Sequence, residues 1–368
     1  MAMNFPAAKQ GPLDAGDRLH DLAFLDPKGR AFSLYHDRIF GWPKVIHLAA
    51  TPDAAAGELQ RLAGLAEAFG QAETQVLAIT RAPPAANAAV AERLGLPFPL
   101  LSDPEGALHR AAGLEPSAGA VTMLFDPCLR LERVIGDGEG ESQAEAALAH
   151  ARTRARARQP SVVALQAPVL AVPNVIDPDH CRRLMAFWES GQKIDNSVVS
   201  SAQRSNRANA RTKARTDVIL HEDTPESRDL VEVLRRRLLP EVLKGFGFRV
   251  SRMETFRVGC YDSRSGGYFA PHRDNTTALT RHRRYALTLN LNTGDYEGGF
   301  LRFPEYGPQL YAPPPGGAVV FHCSLLHFVL PVTRGRRFVV VGFFWGEEEQ
   351  KLYERTLSAQ SLEPSLSR

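Results

Sequence analysis

The sequence predicts two domains, an α/β half followed by a β-rich half with flanking helices. Three observations predict this. Residues 1 to 155 alternate short apolar runs with helical repeats, the pattern of a central sheet covered by helices. Residues 152–163 break that pattern: the stretch "RTRARARQPSVV" is Arg/Ala-rich, then carries Pro160, and reads as a helix end running into a linker over 156–166. From Tyr261 to Trp345, alternating or β-branched apolar runs are separated by Gly and Pro turns, as in an all-β core. A chain of 368 residues also exceeds one ordinary core.

In the first half, Val45 to Ala50 and Val76 to Thr80 are short apolar strands. Between them, Leu59, Leu62, Leu65 and Phe69 recur at helical spacing, which predicts one helix from Glu58 to Phe69. Ala85 to Leu94 is a second helix, and "LPFPLLSDPEG" a strand and turn. Val121 to Phe125 and Leu129 to Ile135 form a hairpin, and Ala144 to Arg156 a last amphipathic helix.

The pattern "GDRLHDLAFLDPKGRAFSL", then "VIHLAATPDAAAGEL", "VLAIT" and "MLFDP", resembles the peroxiredoxin family over nearly this whole half. The resemblance implies a thioredoxin-like fold. It fails at the chemistry. Peroxiredoxins place a reactive cysteine just after a Thr-Pro turn, where a helix dipole and an arginine lower its pKa. Here Thr51-Pro52 leads to Ala54 at the cysteine position, and the arginine position falls on Ala120. Cys128 follows the Asp-Pro of a hairpin turn and is misplaced to substitute. The expectation is a redox-inactive domain kept for scaffolding, partner binding or formation of a homodimer.

The second half, residues 167–350, opens with a helix capped by Asp177 and Pro178, with Leu184, Phe187 and Trp188 as its buried stripe. A second helix is expected from Pro225 to Lys244, capped by Thr224. Residues 200–216 between them are polar and basic; a loop is expected, and a lack of aromatic residues disfavours nucleic-acid binding. Residues 351–368 read as a polar tail.

His272 and Asp274 stand two apart, so on a strand both side chains reach one face while Arg273 points away. His327 follows after several intervening strands, and Arg337 ten residues later. Two imidazoles and one carboxylate that leave metal positions open are the facial ligand set of non-haem Fe(II). Leu287, Leu289 and Leu291 alternate with Ala286, Thr288 and Asn290, a strand with one apolar and one polar face. "DYEGGFLRFPEYG" predicts a Gly-Gly turn feeding a strand from Phe300 to Phe303, and Phe338 to Trp345 a buried strand. His322 and Arg336 are alternatives to His327 and Arg337. The Pro-Val and Gly-Arg-Arg spacing favours His327, and the gapless run that follows favours Arg337.

These residues resemble the Fe(II)/2-oxoglutarate dioxygenases, in particular the prolyl 4-hydroxylase-like branch that includes the hypoxia-inducible-factor prolyl hydroxylases. "CYDSRSGGYFAPHRDN" and "GGFLRFPE" carry the likeness, which spans roughly Val172 to Trp345. It implies a double-stranded β-helix, or jelly roll. It implies Fe(II) on His272, Asp274 and His327, and 2-oxoglutarate with its distal carboxylate on Arg337. Tyr261 matches the tyrosine that touches the co-substrate, and Thr288 or Asn290 is expected to assist in holding it. Asn290 stands where the family usually has tyrosine. Arg215-Thr216-Asp217 matches an Arg-x-Asp beside a loop that closes over peptide substrates. The implied activity is hydroxylation of a C–H bond, with a prolyl residue of a protein or peptide as substrate, O2 as co-substrate and ascorbate as a further candidate cofactor. The same chemistry on a free amino acid, small metabolite or nucleobase is the alternative; a non-catalytic iron or 2-oxoglutarate sensor is the second.

The formal charge of +3 gives no global pull toward nucleic acid. The four cysteines show no CxxC spacing and fit a reducing compartment. The first residues carry no apolar signal segment and no run approaches a membrane span, so a cytoplasmic location is expected.

Overall fold

In a computed structural model the described residues are 12–36, 39–114, 119–136, 142–157, 162–163, 165–195 and 213–362. The chain divides into two compact units, one spanning Lys9–Val162 and the other Val163 onward. Most of residues 200–216, the expected basic loop, lie outside the described residues.

The first unit is built on seven strands: β1 (Ala23–Leu25), β2 (Ala31–Ser33), β3 (Lys44–Ala49), β4 (Gln75–Thr80), β5 (Leu100–Ser102), β6 (Val121–Phe125) and β7 (Leu131–Ile135). Their order is β2-β1-β5-β4-β3-β6-β7. The β3, β4 and β5 strands run parallel, and β6 and β7 return antiparallel as the expected hairpin. Period-two alternation divides β3 between two cores: Val45 packs on one face with Leu59, Phe69 and Leu148, and Ile46 and Leu48 on the other with Phe24 and Phe125. This mixed sheet covered by helices is the thioredoxin-like fold.

The helix expected from Glu58 to Phe69 is two: α1 (Ala56–Gly64) and α2 (Ala66–Gln71). The Leu65 N–H is shared between the Arg61 and Leu62 carbonyls, which tightens the last turn of α1 and redirects the chain. The helices α3 (Pro84–Leu94), α4 (Ala107–Ala111) and α5 (Gln143–Ala157) complete the unit.

The second unit contains β8 (Val169–Val172), α6 (Pro178–Ser190), β9 (Ile194–Asp195), β10 (Thr216–Ile219), α7 (Pro225–Arg237), α8 (Leu239–Phe246), β11 (Arg252–Met253), β12 (Arg257–Asp262), β13 (Phe269–His272) and β14 (Tyr285–Asn290). It continues with β15 (Glu297–Gly298), β16 (Leu301–Arg302), β17 (Leu310–Tyr311), β18 (Ala318–His322), β19 (His327–Val329), β20 (Val332–Arg334), β21 (Arg336–Trp345) and α9 (Glu347–Leu362). The major sheet runs β8-β18-β14-β21-β12-β10-β9, with β11 also on β21. A minor sheet, β13-β19-β16-β17, and the pair β15-β20 complete the jelly roll.

Alternation along the major sheet sorts its two faces. On β14 and β21, Leu287, Leu289, Phe338, Val340 and Phe344 pack with Leu184, Leu230 and Leu234 of the helices. Ala286 and Val339 face inward, with Phe303, Val329 and Phe321. Helix α6 starts as its sequence predicts: the Asp177 carboxylate accepts the His180 N–H at 2.7 Å. The single helix expected from Pro225 to Lys244 is broken at Leu238. Pro240 has no N–H to donate and its ring clashes with a preceding carbonyl, so a continuous helix cannot pass through it. The strand expected from Phe300 to Phe303 pairs only at Leu301 and Arg302. The polar stretch after residue 350 is helical to Leu362.

Candidate metal centre

His272 ends β13 and pairs directly with His327, which begins β19. Asp274 is not on the strand but in the turn that follows it, anchored by its N–H to the Cys323 carbonyl at 2.9 Å. The three side chains nevertheless converge, and one ligand atom from each lies within 4.8 Å of the other two. His272 Nε2 is 3.4 Å from Asp274 Oδ1 and His327 Nε2 is 3.4 Å from Oδ2. Arg273 points away and pairs with Glu305 at 2.8 Å.

The second nitrogen of each imidazole fixes its tautomer. His272 Nδ1 lies 2.8 Å from the Ala270 carbonyl, and His327 Nδ1 lies 3.0 Å from the Leu325 carbonyl. A carbonyl only accepts, so each Nδ1 carries the proton and each Nε2 presents a lone pair toward Asp274. Burial lowers the His327 pKa, favouring the neutral imidazole that a metal needs. Burial pushes the Asp274 carboxyl up, but its polar and charged neighbours, Arg283 among them, outweigh it; the net pKa is lowered and the group stays anionic. Phe269 stacks on the His272 ring at 3.6 Å and Phe321 meets the His327 ring edge-on at 4.6 Å, which fixes both ring planes.

The three side chains line one cavity of about 220 Å³. Arg337 and Tyr261 are neighbours across β12 and β21, and both line it, as does Thr288 of β14. Arg337 is 2 % exposed. Its Nη2 donates to Asn290 Oδ1 at 3.3 Å, its guanidinium lies 5.1 Å from the Tyr261 ring centre, and its buried Nε has no acceptor. A buried, under-satisfied guanidinium facing a cavity fits a ligand carboxylate. Asn290 supports Arg337 from behind rather than lining the cavity.

His322 is on the other face of β18, bonded through Nδ1 to the Ser324 hydroxyl at 2.6 Å. Arg336 pairs with Glu189 at 2.8 Å and is 41 % exposed. Arg215 and Asp217 are placed differently from each other. Arg215 lines the cavity, donating to the Tyr261 hydroxyl at 3.2 Å. Asp217 is 1 % exposed and does not line it; its oxygens accept from Arg215 at 2.5 and 2.7 Å. Direct substrate contact expected of Asp217 is therefore corrected to a supporting role: its carboxylate is spent in holding Arg215.

Lys213, Glu254, Thr255, Arg257 and Arg283 also line the cavity and were not singled out in the sequence. A signal existed for one of them. Arg257 is four residues before Tyr261, so strand periodicity puts it on its neighbour's face.

The turn "GGFLRF" fixes Arg337. Gly299 has φ +64°, and a Cβ there would meet Val332 Cγ2 at 2.8 Å and Arg337 Cδ at 2.9 Å. Gly299→Ala therefore costs roughly 1–3 kcal/mol of stability. It also displaces the guanidinium, so a lowered melting temperature together with weaker binding of a dicarboxylate in the cavity is expected; unchanged binding would separate the turn from the site.

In the first unit, Ala54 and Ala120 line one cavity of about 500 Å³ with His47, Glu58, Arg61 and Gln143. Cys128 is not among its lining residues; it sits in the β6–β7 turn, its N–H bonded to Asp126 Oδ1 at 2.8 Å.

Residues 256–345 match the model of the 2OG-Fe(II) oxygenase superfamily, and residues 16–132 that of the AhpC/TSA family. A PKHD-type hydroxylase of Stutzerimonas stutzeri is 27 % identical over 209 residues, covering 53 % of this chain and 88 % of the relative. A prolyl hydroxylase of Trichoplax adhaerens, solved with a hypoxia inducible factor peptide fragment, has a TM-score of 0.42 at 16 % identity, over 51 % of this chain and 87 % of that one. Peroxidoxin BcpB of Mycobacterium tuberculosis has a TM-score of 0.35 at 24 % identity, over 40 % of this chain and 99 % of that one. Among the described residues no helix is long and apolar enough to cross a membrane.

Proposed function

We propose that this chain, a 2OG-Fe(II) oxygenase superfamily enzyme through its C-terminal unit and of AhpC/TSA type in its N-terminal one, hydroxylates a prolyl residue of a protein or peptide. The observation that carries the chemistry is the convergence of His272, Asp274 and His327 in the cavity that also receives Arg337. Fe(II) and 2-oxoglutarate, with ascorbate as an auxiliary reductant, supply the oxygen chemistry when bound.

The protein's own groups do the rest. His272 and His327 offer preset Nε2 lone pairs, and Asp274 offsets metal charge. Arg337 receives the distal carboxylate of 2-oxoglutarate, with Asn290 orienting the guanidinium and Thr288 and Tyr261 bordering the co-substrate. Phe269, Leu301, Phe321 and Val329 form apolar walls that exclude water. The ligand side chains retain 17, 12 and 6 % exposure, so the centre stays open to a substrate. The prolyl assignment is supported by the Arg215-x-Asp217 motif and by relatives named PKHD-type hydroxylases. The test is incubation of the Fe(II)-loaded protein with 2-oxoglutarate and a proteome digest. Peptides gaining one oxygen on proline are expected; succinate formation with oxygen gained only on other residues would reassign the substrate.

The N-terminal unit is read as redox-inactive, because alanine stands at both positions where the thiol and its activating arginine belong. Thiol-dependent peroxide consumption at background level, equal in wild type and Cys128→Ser, is expected in a coupled peroxidase assay. A loss of turnover in that variant would assign the activity to Cys128.

A further inference from the structure

We propose that Lys213 and Arg257 form a second anion site in the cavity, one that recognises a carboxylate on the substrate. The inference deepens the oxygenase reading above and rests on it.

The argument begins with charge. Fe(II), Asp274, doubly charged 2-oxoglutarate and Arg337 neutralise one another. Arg283 is matched by Glu254, to which it donates at 2.6 and 2.9 Å. Arg215 is matched by Asp217 through two bonds. Lys213 and Arg257 remain. Lys213 Nζ lies 3.6 Å from Asp217 Oδ2, but that carboxylate already holds Arg215. Among the described residues, Arg257 is paired with no carboxylate, though its charge acts on both Lys213 and Asp217. Three cations thus share one carboxylate beside a cavity they line. Burial, followed by the Arg215 charge, drives the Lys213 ammonium down to about 7, so a carboxylate bound beside it would be what keeps it fully protonated at neutral pH.

Position gives the anion its role. Arg257 pairs with Val341 and Tyr261 with Arg337, on the same face of β12. At about 3.3 Å per residue, Arg257 stands roughly 13 Å along the floor from the end that takes 2-oxoglutarate. Lys213 bridges to Phe269, the ring stacked on His272, with Nζ 5.2 Å from the ring centre. A carboxylate held there would place the neighbouring part of the substrate over the metal centre. Two sources of carboxylate fit, an acidic side chain next to the target residue or a free chain terminus.

The test uses the full-length protein with Fe(II) and 2-oxoglutarate under anaerobic conditions. Three proline pentapeptides are titrated: one blocked at both ends with glutamate beside proline, its glutamine counterpart, and the glutamine peptide with a free C-terminal carboxylate. One acidic form is expected to bind at least about 10-fold more tightly than the blocked glutamine peptide. Which one does so identifies the source. The preference should vanish in the Lys213→Met/Arg257→Met double variant and persist in Lys213→Arg/Arg257→Lys, which keeps the charge. Equal binding of all three peptides, no binding of either acidic form, or a preference that survives the methionine pair overturns the site. The rise in wild-type melting temperature on adding Fe(II) and 2-oxoglutarate is read in the same samples. Its absence removes the oxygenase reading itself, whereas its presence alongside equal peptide binding removes only the anion site.

Discussion

Asp274→Ala is expected to abolish Fe(II) binding and lower 2-oxoglutarate turnover by at least about 100-fold, since loss of a residue that only orients a metal ligand already costs 10- to 100-fold. Asp274 is the one anionic member of the triad, and both Nε2 atoms face its two oxygens at 3.4 Å. Without it, two neutral imidazoles are left to hold a hard divalent cation, and a ligand set designed for three loses both charge balance and the geometry of one face. The fold gives little cause to collapse in the variant. Asp274 lies in a turn held by its backbone N–H, which alanine retains. The decisive measurement is the metal-dependent rise in melting temperature, because a ligand that binds only the folded state stabilises it. Wild type should show the rise and the variant should not, while the two share the same far-ultraviolet spectrum. Iron-dependent turnover surviving in the variant would remove Asp274 from the centre.

The residues show why part of this was legible and part was not. Strand alternation marks Thr288 and Asn290 as sharing a face, and β14 does place both on the inner side of the major sheet. The same rule explains Arg337, which continues inward through Val339 and Val341. It does not explain Asp274, which leaves the strand and reaches its partners from a turn pinned by the Cys323 carbonyl. That contact joins residues far apart in sequence, and no local pattern reports it. Asp217 is the reverse case. Its motif looked like a substrate contact, but the chemistry of the pair lies in burial, which a sequence does not display. Helix interruptions were readable only where a breaker stands: Pro240 announces the break before α8, whereas the division at Leu65 depends on a shared hydrogen bond among ordinary helix formers.

Arg337→Met is expected to raise the KM for 2-oxoglutarate by about 10- to 100-fold, the value of one charge-assisted pair at roughly 1.5–3 kcal/mol. At saturating co-substrate, kcat should change far less, because the proposed role of the guanidinium is to hold the end of the molecule remote from the metal. Stability should move in the opposite sense from affinity. Arg337 is 2 % exposed, its Nε lacks an acceptor, and among the described residues its hydrogen-bond acceptor is the neutral Asn290 amide oxygen at 3.3 Å. A buried cation without an acid partner is costly, and an apolar side chain of similar length is cheaper to bury. The variant alone should therefore melt no lower than wild type, while the stabilisation gained on adding 2-oxoglutarate shrinks. Arg337→Lys separates charge from shape: it keeps the positive charge but loses the planar fork, and its KM should fall between the other two. A KM unchanged in Arg337→Met would mean that the distal carboxylate is held elsewhere in the cavity, with Arg215 as the next guanidinium beside Tyr261.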